Sequence, residues 1–116
     1  VVLRAKLALH GGDQEAIKAR MEELSAKRRA SQPLEMPSAG STFKRPEGYF
    51  AGTLIEQCGL KGKHVGGAEV SCKHAGFVVN AGGATCADVL ALIKKVQDTV
   101  FTATGVTLEP EVKIIR

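Results

Sequence analysis

Glycine placement limits this chain more than any other feature. Gly59 and Gly62, Gly66-Gly67 and Gly82-Gly83 cut the middle of the sequence into pieces too short for a long helix. None of these clusters has the G-x-G-x-x-G spacing or that of a phosphate-binding loop, so each reads as turn chemistry and not as a flavin or nucleotide fingerprint. Long uninterrupted patterns survive only on the flanks.

The first flank begins with a strand pattern. In Val1 to Leu9 the residues Leu3, Ala5, Leu7 and Leu9 fall on one face, with Arg4 and Lys6 on the other. His10-Gly11-Gly12 breaks it, and His10 reads as a surface loop residue. Asp13 is a good N-cap for a helix running to about Ala30. Ile17, Met21 and Leu24 give that helix one stripe expected to be buried, while its glutamates precede lysines and arginines as suits a solvated face. Two prolines between Ser31 and Ser38 prevent its continuation.

The other flank holds a second long helix. Thr85 and Asp88 form a capping-box pattern, Val89, Ile93, Val96 and Val100 a buried stripe, and Gly105 a stop. Val106 to Ile115 alternates as a strand, with Pro110 placing it at an edge or breaking it. Between the flanks, Phe50, Leu54 and Cys58 suggest a short helix closed by Gly59, and Ala68–Cys72 and Phe77–Asn80 suggest short strands. Strands and helices interleave without a regular βαβ repeat. The expectation is an α+β fold: one two-layer domain with a small sheet, two longer helices and one short helix.

With 116 residues, 44% of them hydrophobic, the chain has material for one core. No stretch approaches the run of about 18 apolar residues that would suggest a membrane span. No charged-then-apolar leader opens it, and the start at Val1 predicts a fragment or a processed product. The net charge of +4 favours anionic partners only mildly. Lys27-Arg28-Arg29 reads either as a solvated helix end or as a phosphate contact. With 4% aromatic residues and no Trp, the chain is poor material for stacking bases, which argues against nucleic acid. Cys58, Cys72 and Cys86 show neither a CxxC pair nor a metal spacing, and are expected to be buried, unreactive thiols in a reducing cytoplasm.

Candidate chemistry gathers in Gly40-Ser41-Thr42-Phe43-Lys44-Arg45-Pro46, which offers two hydroxyls and two adjacent cations. Composition alone reads Ser41 as a turn residue, since G-x-S-x-G and a matching His/Asp order are missing. Glu109 and Glu111 could form a carboxylate pair for acid–base work, and periodicity does not choose between them. His74 reads as a partly exposed histidine or a ligand contact.

These residues also resemble a known family. Gln32-Pro33-Leu34, the run Pro37 to Pro46, Ala51-Gly52-x-Leu54-Ile55-Glu56 and Gly59-Leu60-Lys61-Gly62 are similar to motifs of the UDP-N-acetylenolpyruvoylglucosamine reductases. So are Gly66-Gly67-Ala68-x-Val70-Ser71-x-Lys73-His74-Ala75-Gly76-Phe77 and Leu108-Glu109-Pro110-Glu111-Val112, in the family's order and spacing. The resemblance spans essentially the whole chain but only part of that enzyme.

What the resemblance implies is specific. Residues 1–30 would be the tail of a flavin-binding half with a linking helix, and 31–116 a C-terminal substrate-binding domain. The family's reaction has NADPH reduce FAD and hydride pass to the methylene carbon of UDP-N-acetylglucosamine enolpyruvate, giving UDP-N-acetylmuramate for peptidoglycan. FAD would be held mainly by the N-terminal half, outside this chain. Ser41 would donate the proton to the adjacent carbon, and Glu111, as a protonated carboxyl, would stabilise the enolate. Arg29, Lys44, Arg45 and His74 would contact the substrate; another branch of the family carries asparagine at the position of Arg45. The setting would be the bacterial cytoplasm, with no metal, membrane or nucleic-acid partner. The competing expectation is a non-catalytic module that binds UDP-sugars or other anions when isolated from the flavin half.

Overall fold

Backbone hydrogen bonding sorts residues 1–115, the part of the chain that the computed structural model describes, into α1 (Gln14–Ser31), β1 (Ser38–Ser41), α2 (Ala51–Gln57), β2 (His64–Val65), β3 (Ala68–Val70), β4 (Phe77–Asn80) and α3 (Cys86–Thr104). The chain divides into two compact units, residues 1–30 and residues from Ser31 onward.

In the first unit, Asp13 starts α1 as its side chain suggests: Oδ1 accepts from Glu15 N at 3.4 Å and the carbonyl accepts from Ile17 N at 3.0 Å. Glu23 bridges Arg20 at 2.8 Å and Lys27 at 2.6 Å on the solvated face, and these cations, Lys27 foremost, hold its carboxyl below the usual glutamate range. Two expectations fail here. Val1 to Leu9 forms no strand, because a strand needs a ladder partner and none pairs with it among the described residues. Ile17, Met21 and Leu24 share a face but are exposed; spacing fixes which residues align, not what covers them.

The second unit is an α+β layer pair. Its sheet has the order β1-β4-β3-β2, with every neighbouring pair antiparallel. The helix α3 packs on β2 and β3, and α2 packs against α3. Leu92, Ile93, Val96 and Val100 of α3 meet Leu54, Ile55, Val70 and Leu108 in one apolar cluster. Complete burial of side chains such as Ile55, Leu92 and Leu108 contributes about 1.5–3 kcal/mol each.

The capping box is formed as the sequence implies. Thr85 Oγ1 accepts from Asp88 N at 3.1 Å, and Asp88 Oδ2 accepts from Thr85 N at 2.9 Å. Gly105, at φ 73°, ends α3 and donates to Phe101 O at 2.8 Å.

Other expectations are corrected. The segment from Gly40 to Pro46 is not all loop, since Ser38–Ser41 pairs with β4. His64–Val65 adds a short strand where turn chemistry alone was expected, and the strand from Ala68 stops at Val70. Val106 to Ile115 is not a strand. Pro110 donates no hydrogen bond, and pairing shrinks to the Phe43↔Pro110 bridge between Lys44 N→Glu109 O and Glu111 N→Thr42 O, each 2.8 Å. Cys58 is half-buried, and Cys72 and Cys86 are exposed, so the thiols are not core residues.

Three measurements test this account. Thr85→Ala is expected to cost about 1 kcal/mol, lowering the thermal midpoint by about 4–8 °C. The Thr85 backbone N–H, then its hydroxyl, hold the Asp88 carboxyl below the usual aspartate range. A depressed folded value stabilises above the unfolded value and is lost as pH falls through the folded one. The stability gap between parent and Asp88→Asn is therefore expected to be full at neutral pH and to close under acid; a gap that ignores pH would refute the carboxylate's role. Separately, a Cβ on Gly67 would collide with the Gly82 carbonyl and the Ala84 backbone. Gly67→Ala is expected to destabilise by about 3 kcal/mol, the upper end for overpacking, in chemical denaturation.

Candidate functional site

Ser41 owes its aim to an irregular ladder. Ser38 pairs with Val79 but Ser41 with Phe77, so one extra residue is accommodated between them. Gly40 takes it up at φ 83°, a conformation that side-chain-bearing residues rarely adopt. The bulge delivers Ser41 to the wall of a cavity of about 400 Å³. The hydroxyl donates only to Phe43 O at 3.4 Å, a long and weak contact.

The opposite wall is the turn before β4. Ser71 is buried, and its Oγ accepts from Lys73 N at 3.1 Å and His74 N at 3.3 Å. The turn closes with Phe77 N donating to His74 O at 3.0 Å. His74 Nδ1 accepts from Gly76 N at 3.0 Å. A ring nitrogen that accepts carries no proton, so the neutral imidazole holds its proton on Nε2. The ring meets Phe77 edge-on at 4.9 Å. Glycines make room for it: a Cβ at Gly76 would lie 3.0 Å from His74 Cε1, and one at Gly52 would lie 3.3 Å away. The same Cβ at Gly76 would be 3.8 Å from Ser41 Oγ, so Ser41 and His74 border one glycine.

Charge enters from three places. Arg45 stacks its guanidinium 4.0 Å above the Phe50 ring and donates from Nε to Tyr49 O at 3.4 Å. Lys61 and Lys73 also line the cavity, paired with Glu56 at 2.7 Å and Glu35 at 3.5 Å. Such a wall of cations and N–H donors beside aromatic surface suits an anionic ligand with an apolar or sugar portion.

Of the residues singled out in the sequence, Ser41, Arg45 and His74 therefore line one cavity. Lys44 does not; it borders a separate hollow with Arg45 and Glu109. Its ammonium is paired with Glu109, and that hydrogen bond, with further attraction from Glu109 and Glu111, raises its pKa. Glu111 is exposed and does not line the Ser41 cavity, but its N–H donates to Thr42 O, one residue from Ser41. Arg29 belongs to the first unit, where its Nη1 donates to Ser25 Oγ at 2.6 Å. Sequence reasoning missed Thr42, Lys61, Lys73 and Phe50. Lys73 had a signal in its adjacency to His74, whereas the buried hydroxyl of Thr42 had none.

Gly82-Gly83 lies between β4 and α3, the place where a dinucleotide phosphate could sit. Three amides of this turn are taken: Gly82 N and Ala84 N donate to Asn80 Oδ1, and Thr85 N to Asp88. Among the described residues, no cluster of His, Cys, Asp and Glu could hold a metal ion, and no helix is long and apolar enough to cross a membrane.

Comparison with known proteins identifies the family of the chain. The family description "UDP-N-acetylenolpyruvoylglucosamine reductase, C-terminal domain" matches residues 32–115. The UDP-N-acetylenolpyruvoylglucosamine reductase of Agathobacter rectalis is 62% identical over 115 residues, which are 99% of this chain and 37% of that protein. The reductase of the same name from Caldanaerobacter subterraneus is 56% identical, over 99% of this chain and 38% of its own length. The crystal structure of UDP-N-acetylenolpyruvylglucosamine reductase from Thermus caldophilus superposes with a TM-score of 0.80 at 38% identity, over 96% of this chain and 39% of that one. The chain thus spans less than half the length of the curated relatives it matches. It belongs to the family of UDP-N-acetylenolpyruvoylglucosamine reductase C-terminal domains.

Proposed function

We propose that residues 31–116 form the substrate-binding and proton-donating domain of a flavin-dependent reductase that converts UDP-N-acetylglucosamine enolpyruvate to UDP-N-acetylmuramate with NADPH, in cytoplasmic peptidoglycan precursor synthesis. Residues 1–30 then belong to the tail of the flavin-binding half and its linking helix. The observation that carries this reading is the convergence of Ser41, Arg45 and His74 on one cavity, in a chain whose relatives bear the reductase name.

In this reading the hydride reaches the substrate's methylene carbon from the reduced flavin held outside this chain. Negative charge then builds on the carboxylate side of the enolpyruvyl group as an enolate. The electron pair of the enolate takes the hydroxyl proton of Ser41, forming the new C–H bond and leaving an alkoxide that solvent reprotonates. A serine is a weak acid, so the rate depends on holding the hydroxyl at the carbon, where orientation substitutes for acidity. The weak tether to Phe43 O leaves that proton undelivered to any strong acceptor.

Glu111 would meet the enolate with its carboxyl, a role that rests on family resemblance, since the residue is exposed and outside the lining of the Ser41 cavity. Glu109 is the poorer candidate because its carboxylate is committed to Lys44. Arg45 and the Nε2–H of His74 supply donors for the diphosphate, with Lys44 adding charge beside the loop. Arg29 enters this reading from family resemblance alone.

The test uses a full-length enzyme carrying this sequence as its C-terminal portion. With Ser41→Ala, reduction of the flavin by NADPH is expected to proceed at the parental rate, while reduction of the enolpyruvyl substrate falls about a thousandfold. Glu111→Gln should behave similarly and Glu109→Gln should not. Stopped-flow absorbance separates the two half-reactions. Survival of substrate reduction in Ser41→Ala would refute the assignment.

A further inference from the structure

We propose that Thr42, rather than either acting side chain, sets the relative position of Ser41 and Glu111, as a positioning residue; the inference rests on the roles proposed above for those two. Thr42 and Ser71 are the buried polar residues of the described chain, and Thr42 is only 3% exposed. Each of its polar groups reaches a different segment. Its N–H donates to Gly76 O at 2.8 Å, its Oγ1 accepts from Val78 N at 3.0 Å, and its carbonyl accepts from Glu111 N at 2.8 Å.

Gly76 and Val78 flank Phe77, the residue that faces Ser41 across the ladder. The bulge before Ser41 shifts the register by one residue, and just past it Val78 N–H meets a side-chain acceptor, the Thr42 hydroxyl. That contact pins the chain immediately after the bulge. A slip of one residue here would turn Ser41 to the other face of the sheet. The same residue's carbonyl holds the segment that carries Glu111, which the Phe43↔Pro110 bridge then continues. Ser41 and Glu111 are thus referenced to each other and to β4 through one side chain and its peptide groups.

Thr42→Val keeps the shape and removes the oxygen. It removes the side-chain acceptor of the buried Val78 N–H, which loosens the strand beside the bulge. Thr42→Ser keeps the oxygen and drops the methyl group. In the full-length enzyme with its flavin bound, Thr42→Val is expected to lower kcat for substrate reduction about ten- to a hundredfold, the scale of a small misplacement of reacting groups. KM should change by less than about threefold, and flavin reduction by NADPH should be unaltered. The solvent deuterium isotope effect on kcat should rise, because proton delivery becomes more rate-limiting. Amide hydrogen exchange should quicken in residues 76–80 and 111–112. Thr42→Ser should restore kcat to within about threefold of the parent.

A Thr42→Val enzyme with parental kcat and isotope effect overturns the proposal. So does a Thr42→Ser enzyme as impaired as the valine variant, since packing of the methyl group would then explain the loss. A loss shared equally by the flavin half-reaction overturns it too, by marking a global defect. Ser41→Ala distinguishes the premise: if it is inactive while Thr42→Val is not, only the positioning inference fails.

Discussion

Everything in the second unit depends on β4 being paired on both edges while its side chains are buried. Phe77, Val78 and Val79 sit at 8%, 8% and 1% exposure, and the strand has β1 on one side and β3 on the other. A buried backbone with an unpaired N–H or C=O would be costly, so both neighbours are obligatory. Of these strands, β3 continues through β2 into the floor beneath α3, and β1 brings the Ser41 segment to the cavity. The turn that enters β4 carries His74. Two walls of one cavity are thereby hung from a single strand of four residues.

The charges around the cavity are organised as much as they are supplied. At the cavity Glu56 and Glu35 each hold one lysine, and in the neighbouring hollow Glu109 holds Lys44; all three pairs are partly exposed. Exposed ion pairs add little to stability, so their consequence is orientation rather than strength. Arg45 differs, since its guanidinium lies against the Phe50 ring. A stacked guanidinium is held flat yet keeps its edge for a ligand, which a lysine could not do. The net charge of +4 is therefore a poor guide to the local field: the lysines are each offset by a carboxylate, whereas Arg45 is held by a ring and a carbonyl.

Local chemistry was legible in the sequence wherever short-range rules decide the outcome. The Thr85–Asp88 box, the stop at Gly105, the Asp13 start and the β4 strand all lie where residue type and spacing put them. Failures occur where a distant partner decides. The alternation in Val1 to Leu9 is a strand pattern without a ladder, and the α1 stripe is a buried pattern without a cover. The alternation after Val106 yields to Pro110: Leu108 is fully buried and Val106 and Val112 pack against the core, but Ile114 is exposed and the ladder is missing. For the site, the motif text led to Ser41, Arg45 and His74. It could not show that Lys44 turns to Glu109, or that Thr42 faces inward, because both depend on a bulge that shifts the register by one residue.

That shift also bears on how a weak acid could serve in proton transfer. A hydroxyl with a strong acceptor nearby would already have committed its proton; Ser41 has only the 3.4 Å contact to Phe43 O. Its acidity is not visibly enhanced by any cation at hydrogen-bond distance among the described residues, so position is what the fold contributes. Position is secured by groups that do not titrate: backbone amides, one threonine hydroxyl and a glycine at positive φ. Side-chain carboxylates near Ser41 would have fixed it equally well, but they would also have competed for its proton. Building the support from backbone and hydroxyl groups holds the serine firmly while leaving its proton for a ligand.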